Sequence, residues 1–150
     1  MTIIRKATSN DVTQLRILAR AMYDESKYTA VTYDEQRVAT LLRTLVNDSD
    51  AAVLAAETPD GQLVGALLLQ VMDYWFSKEK FVSDIAFFVL PNWRMSRVAM
   101  KLTAAGEAWA RTRGGALVIG ITALDNTEVA ASMFNKIGYS PWGHVVRKEL

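Results

Sequence analysis

The period of the hydrophobic positions changes along the chain, and each change marks an element. Thr2 to Ala7 reads as a first strand, with Ile3 and Ile4 apolar. Ser9-Asn10-Asp11 offers helix-capping side chains. Val12, Leu15, Leu18, Ala19 and Met22 then fall on one side of a helix. A polar, aromatic connection, Tyr23 to Thr32, leads to a second helix over about Tyr33 to Val46. Its apolar stripe is Val38, Leu41, Leu42 and Leu45. Ala51 to Thr58 is a short apolar run closed by Pro59-Asp60-Gly61, a turn signal. Leu63 to Met72 is nearly all apolar and predicts a strand covered on both faces. The two runs make an antiparallel hairpin. Aromatic Tyr74-Trp75-Phe76 and a charged loop, Ser77 to Lys80, follow.

Phe81 to Val89 reads as a buried strand, and Val98, Leu102, Ala105 and Trp109 form the stripe of the next helix. That helix ends in basic residues and then Gly114-Gly115. Ala116 to Ile121 is a further apolar strand. Strand, helix and strand of these lengths make a βαβ unit, so the two strands are expected parallel with a right-handed crossover. A ligand then belongs beyond their carboxyl ends. A last helix runs through Lys136, capped by Asn126 or Thr127 and closed by Gly138. The tail, Ser140 to Leu150, carries Trp142, Val145 and Val146 and suits a final strand. Together these elements give one α/β domain over residues 1–150. Its mixed sheet is expected to hold about six or seven strands with four helices, and to splay between the strands ending at Val89 and Ile121.

Composition narrows the chemistry. Half the residues (51%) are hydrophobic, which suits a globular chain with a real core. Net charge is +1, so no broad nucleic-acid or anionic-membrane surface is expected. There is no cysteine, which removes disulfides, thiolate metal sites and a cysteine nucleophile. No apolar run is long enough for a membrane span, and no signal-peptide core is visible. A cytoplasmic protein is the default expectation. His144 is the only histidine, and a lone histidine on a terminal strand is more often structural than catalytic.

The stretch with the most chemical content is Leu90-Pro91-Asn92-Trp93-Arg94-Met95-Ser96-Arg97-Val98-Ala99. A strand that turns straight into a helix leaves the first helical amides unpaired, with the helix dipole behind them. Such amides make a phosphate site. Arg94, Arg97 and Lys101 fall on a second stripe, expected to flank it with positive charge.

This stretch resembles the acyl-CoA pyrophosphate loop of the GNAT superfamily of N-acetyltransferases. That motif reads Gln or Arg, two residues, Gly, one residue, Gly or Ala. Here it is Arg94-Met95-Ser96-Arg97-Val98-Ala99, with Arg97 in place of the central Gly. Phe88-Val89-Leu90-Pro91 resembles the strand end that precedes the loop. Ala130, Phe134, Lys136, Ile137, Gly138 and Tyr139 keep the spacing of a second family signature. Its Asn position falls on Thr127, with Asn126 one residue early. The resemblance covers about Ile3 to Tyr139.

The resemblance implies an N-acetyltransferase that moves an acetyl group from acetyl-CoA to a primary amine by direct attack, without a metal. It implies CoA contacts from Phe88, Val89, Leu90, Arg94, Met95, Ser96, Arg97, Val98, Ala99, Asn126 and Phe134. It also implies an acceptor site walled by the first two helices and their link. The acceptor is a small-molecule or protein amine, not nucleic acid or membrane, and a homodimer is left open. An amide near Phe88 to Leu90 would hold the oxyanion. The family's tyrosine acid is replaced by Phe134, which has no proton to give. That departure supports the alternative of an acyl-CoA-binding domain with little turnover. Asp84 is the candidate base, with Asp73 in reserve. Counting back from Val89, however, the family's carboxylate position is nearer Ser83, so Asp84 needs a bulge or a different water path.

Overall fold

The computed structural model describes residues 1–150. The elements in order are β1 (Ile3–Lys6), α1 (Val12–Glu25), α2 (Glu35–Asn47), β2 (Ala51–Glu57), β3 (Leu63–Asp73), β4 (Lys80–Val89), α3 (Val98–Arg111), β5 (Leu117–Val118) and α4 (Thr127–Lys136). The strands form one sheet in the order β1-β2-β3-β4-β5. The first four are antiparallel neighbours, and β5 joins β4 in parallel. The α/β class and the parallel βαβ unit are as expected.

The sheet has five strands rather than six or seven, because Ser140 to Leu150 makes no ladder. Trp142 and Val146 stay in water, 88% and 91% exposed, while Val145 borders the cleft described below. Strand β5 is also shorter than the apolar run Ala116 to Ile121. Beyond Val118 the chain leaves the ladder.

The sheet is buried on both faces, as the continuous apolar run of β3 requires. On one face Val53, Ala55, Ala66, Leu68 and Phe88 meet Leu15, Leu18, Leu42 and Leu45 of α1 and α2. On the other Leu54, Leu67, Leu69, Val82 and Val89 meet Val98, Leu102 and Trp109 of α3. Gly106 lets α3 approach closely: a Cβ there would stand 2.9 Å from a methyl of Leu67.

The start of α1 is anchored by charge. The side chain of Thr8 accepts from the Asn10 amide, and the Asp11 carboxylate accepts from the Thr8 amide at 2.7 Å. Arg5 donates to both oxygens of Asp11 at 2.8 Å and also pairs with Glu57. The bonds from Arg5 and Thr8 hold the Asp11 carboxyl down at about 2, well below the ordinary aspartate value of 3.8. A depressed carboxylate stabilises the fold above its unfolded pKa, and that contribution is lost as pH falls through the folded value. Asp11→Asn is therefore expected to cost about 1–2 kcal/mol at neutral pH, part of the effect being screened because Arg5 is partly exposed. The difference should vanish between about pH 4 and pH 2. Urea melts at several pH values check this; a constant difference down to pH 2 would contradict it.

Candidate active site

The site begins with an irregularity in β4. Leu68 pairs with Ala86, but Leu69 pairs with Asp84, so Ile85 is an extra residue in the strand. This is a β-bulge. It resets the alternation of side chains. By register Asp84 now shares a face with Phe87 and Val89, whereas uninterrupted alternation would have put Ser83 there. The one-residue offset read from the sequence is thus absorbed by Ile85.

Just past the bulge the sheet divides. Strands β4 and β5 pair only at Val82 with Leu117 and Ser83 with Val118. At the next position the Asp84 carboxylate takes over from the backbone, and its Oδ1 accepts from the Gly120 amide at 2.8 Å. Beyond that bond the two chains diverge. The Leu90 amide donates to Val64 across the β3 side at 2.9 Å. Alternation along an antiparallel ladder then turns the N–H groups of Phe87 and Val89 to the opposite edge, into the gap. The Val89 carbonyl points the same way and accepts from Arg94 Nε at 2.9 Å.

The gap opens into a cleft of about 780 Å³. One side is lined by β4 from Ser83 to Val89, by Val118 to Leu124, and by Asn126, Ala130, Met133 and Phe134. The other is lined by Leu18, Met22, Tyr23 and Ser26 of α1 and its end, by Tyr28 and Tyr33 of the connection, and by Val38 and Leu41 of α2. Asp84 is half-buried in this apolar setting, and desolvation raises its pKa against the opposing pull of the Gly120 amide.

The loop after β4 differs from expectation. A 3₁₀ turn, Pro91–Trp93, intervenes, and α3 begins only at Val98. Arg94 and Arg97 therefore precede the helix instead of forming a stripe on it with Lys101. Arg94 holds the Val89 carbonyl and pairs with Glu25 at 2.5 Å, fastening the loop to the end of α1. Lys101 Nζ donates to the Thr2 carbonyl at 2.9 Å. Arg97 alone is exposed and uncommitted. The amides of Met95, Arg97, Ala99 and Met100 find no backbone acceptor. Arg97 has φ −81°, so the position needs no glycine on conformational grounds.

The other expected residues divide between core and cleft. Val98 is core at 1% exposure, Met95 stands in solvent, and the Ser96 hydroxyl donates to the Trp93 carbonyl. Leu90 packs where the two core clusters meet, and Ala99 lines the cleft. Asn126 precedes α4 without a side-chain cap. Phe134 is buried, edge-on to Phe87 at 6.1 Å and to Tyr139 at 5.2 Å. Tyr139 does not line the cleft and donates to Glu107 at 3.1 Å; burial first, and that bond second, raise its pKa. It is not placed to serve as an acid in the cleft. Asp73, the reserve base, is exposed and paired with Lys80 outside the site. His144 is exposed in the tail. Glu25, in sequence only one of several polar residues near the link after the first helix, and Gly120, not singled out in sequence, have their partners 69 and 36 residues away. No local pattern signals either.

Residues 14–139 match the acetyltransferase (GNAT) family. The chain belongs to that family. An aminoglycoside N(6')-acetyltransferase type 1 of Klebsiella aerogenes is 38% identical over 68 residues, a match that spans 43% of each chain. Among solved structures, the aminoglycoside antibiotic 6'-N-acetyltransferase of Acinetobacter baumannii superposes with a TM-score of 0.77 at 19% identity. It covers 100% of this chain and 98% of that one. AAC(6')-Iy, in complex with a bisubstrate analogue built on CoA, gives a TM-score of 0.78 at 17% identity, over 100% of this chain and 98% of that one. At such identities these structures speak to the fold of this GNAT domain. No helix in it is long and apolar enough to cross a membrane.

Proposed function

We propose that the protein is an N-acetyltransferase that uses acetyl-CoA and acetylates a primary amine by direct attack. The observation that carries this is the divided β4–β5 pair, with a carboxylate at the apex, free backbone donors along one edge and an unpaired loop beyond it. These features suit acetyl-CoA. The amides of Met95, Arg97, Ala99 and Met100 suit the pyrophosphate, with the Arg97 guanidinium beside them. The apolar lining of the cleft, Phe87 and Phe134 included, suits the arm that leads to the thioester.

Bound acetyl-CoA supplies an activated acetyl thioester. The Val89 N–H, aimed into the gap, holds the carbonyl oxygen as it gains charge. Asp84 takes the proton of the attacking amine, directly or through one water. Its raised pKa makes it a better acceptor than an exposed carboxylate would be. The carbon–nitrogen bond forms, the carbon–sulfur bond breaks, and the thiolate leaves. Phe134 cannot protonate it and Tyr139 is engaged elsewhere, so solvent supplies that proton.

Thiol release from acetyl-CoA with a panel of amines tests the activity. Tight CoA binding without turnover of any amine would favour the binding-only reading that Phe134 suggests. For the loop, Arg97→Ala and Arg97→Gly are each expected to weaken CoA binding about tenfold, the scale of one charge-assisted hydrogen bond. Calorimetry measures it. Unchanged affinity in both variants would make Arg97 part of a solvated surface.

A further inference from the structure

The acceptor wall carries information about the amine. Of the lining residues that α1, α2 and their link supply, all but Ser26 are hydrophobic, and Asp84 is the only carboxylate anywhere in the cleft. Acidic residues do occur on the elements that form the wall, but each is committed. Asp24 pairs with Arg20 at 2.9 Å, Glu35 with Arg16 at 2.9 Å, and Glu25 with Arg94. Asp24 and Glu35 face a separate shallow groove on the outside of α1 and α2, together with Arg16 and Arg20. Asp125 and Glu128, at the start of α4, are exposed and do not line the cleft. What the wall presents instead is aliphatic and aromatic surface.

A polyamine brings several ammonium groups, and each must stay hydrated or find an anion when it is buried. This cleft can pair one. From this we infer that the acceptor is an apolar monoamine, with a single amino group on a hydrophobic or aromatic body. The inference rests on the N-acetyltransferase reading and adds the substrate class to it. The chemistry agrees with it in one further respect. An ammonium moved against apolar surface loses its proton more readily, because burial disfavours the charged form. The same wall that binds the body of such a substrate therefore helps to make its nitrogen nucleophilic. Asp84, alone at the apex, is the group that meets it.

The test is a thiol-release assay on the full chain with butylamine, pentylamine, hexylamine, 2-phenylethylamine, spermidine and kanamycin. Each methylene buried on the wall is expected to raise kcat/KM about three- to fourfold, hence about tenfold from butylamine to hexylamine. Hexylamine and 2-phenylethylamine should each exceed spermidine and kanamycin by at least about tenfold. The KM for hexylamine should change little with salt, as binding by apolar contact requires. Leu41→Glu adds a carboxylate at a partly exposed lining position of α2 and should shift the preference towards spermidine. A flat alkylamine series, or spermidine or kanamycin equal to or better than hexylamine, overturns the inference and leaves acetyl transfer standing. No turnover of any amine, with acetyl-CoA still bound by calorimetry, overturns both readings.

Discussion

Asp84→Asn is expected to lower turnover about a hundredfold or more, the usual scale for removing a general base, while CoA affinity stays within about twofold. The substitution is close to isosteric. The Asn side-chain oxygen can still accept from the Gly120 amide, so the apex of the gap is kept. What is lost is a proton acceptor. In the wild type, activity should fall as pH drops through the raised pKa of Asp84, and again wherever the amine becomes protonated. The variant should keep only the second limb. A stability measurement separates this from damage to the fold. Because burial raises its pKa, the ionised Asp84 weighs against folding above that pKa, so neutralising it should leave Tm unchanged or higher. Unchanged turnover would remove Asp84 as the base. A falling Tm would reassign it to structure.

Gly114→Ala is expected to damage stability and site together. A Cβ at Gly114 would stand 2.3 Å from the Lys80 carbonyl oxygen and 3.2 Å from the Phe81 Cα. Both neighbours are backbone, so neither can swing aside. The segment between α3 and β5 must lift, and β5 has only two rungs to hold it to β4. Overpacking of this kind costs about 1–3 kcal/mol or more. For a chain of this size that lowers Tm by about 2–4 °C per kcal/mol. Lifting β5 also withdraws the Gly120 amide from Asp84, so turnover should fall with stability. Gly143→Ala, where a Cβ meets nothing within 4 Å, is the control and should be neutral. If Gly114→Ala melts and turns over like the wild type, the close crossing at Lys80 is not a constraint.

Local chemistry made much of the architecture legible. Pro59-Asp60-Gly61 does turn the chain, with Gly61 at φ 86°, and Gly138 at φ 98° follows α4. The stripes of α1 and α3 face the sheet as their spacing predicts, and Leu42 and Leu45 of α2 do so too, but Leu41 is 40% exposed and Ala39 is buried in its stead. The acidic candidate in β4 was also legible, together with the geometric condition it had to meet. The means of meeting it was not. Ile85 looks like any apolar strand residue, and the bulge is defined by the partner strand. The same holds for Arg94. Its charge suggested a phosphate, but a glutamate on α1 and a carbonyl on β4 claim it first. The second helix starts at Glu35 rather than Tyr33 because the Asp34 side chain caps it, accepting from the Arg37 amide. The tail has apolar residues suited to a strand but joins neither outer edge of the sheet, that of β1 or that of β5, and pattern alone does not reveal that.

The early parting of β4 and β5 also bears on aggregation. An unpaired strand edge is ordinarily a template for another chain. Here the unpaired N–H groups of β4 beyond Ser83 line the cleft, with the segment after β5 and the flank of α4 standing opposite, and the Val89 carbonyl is already taken by Arg94. A neighbouring sheet is too broad to reach them. Only a slender, extended molecule can enter far enough to bond that edge. The protein can thus keep a reactive backbone edge permanently exposed to small partners without offering it to its own copies.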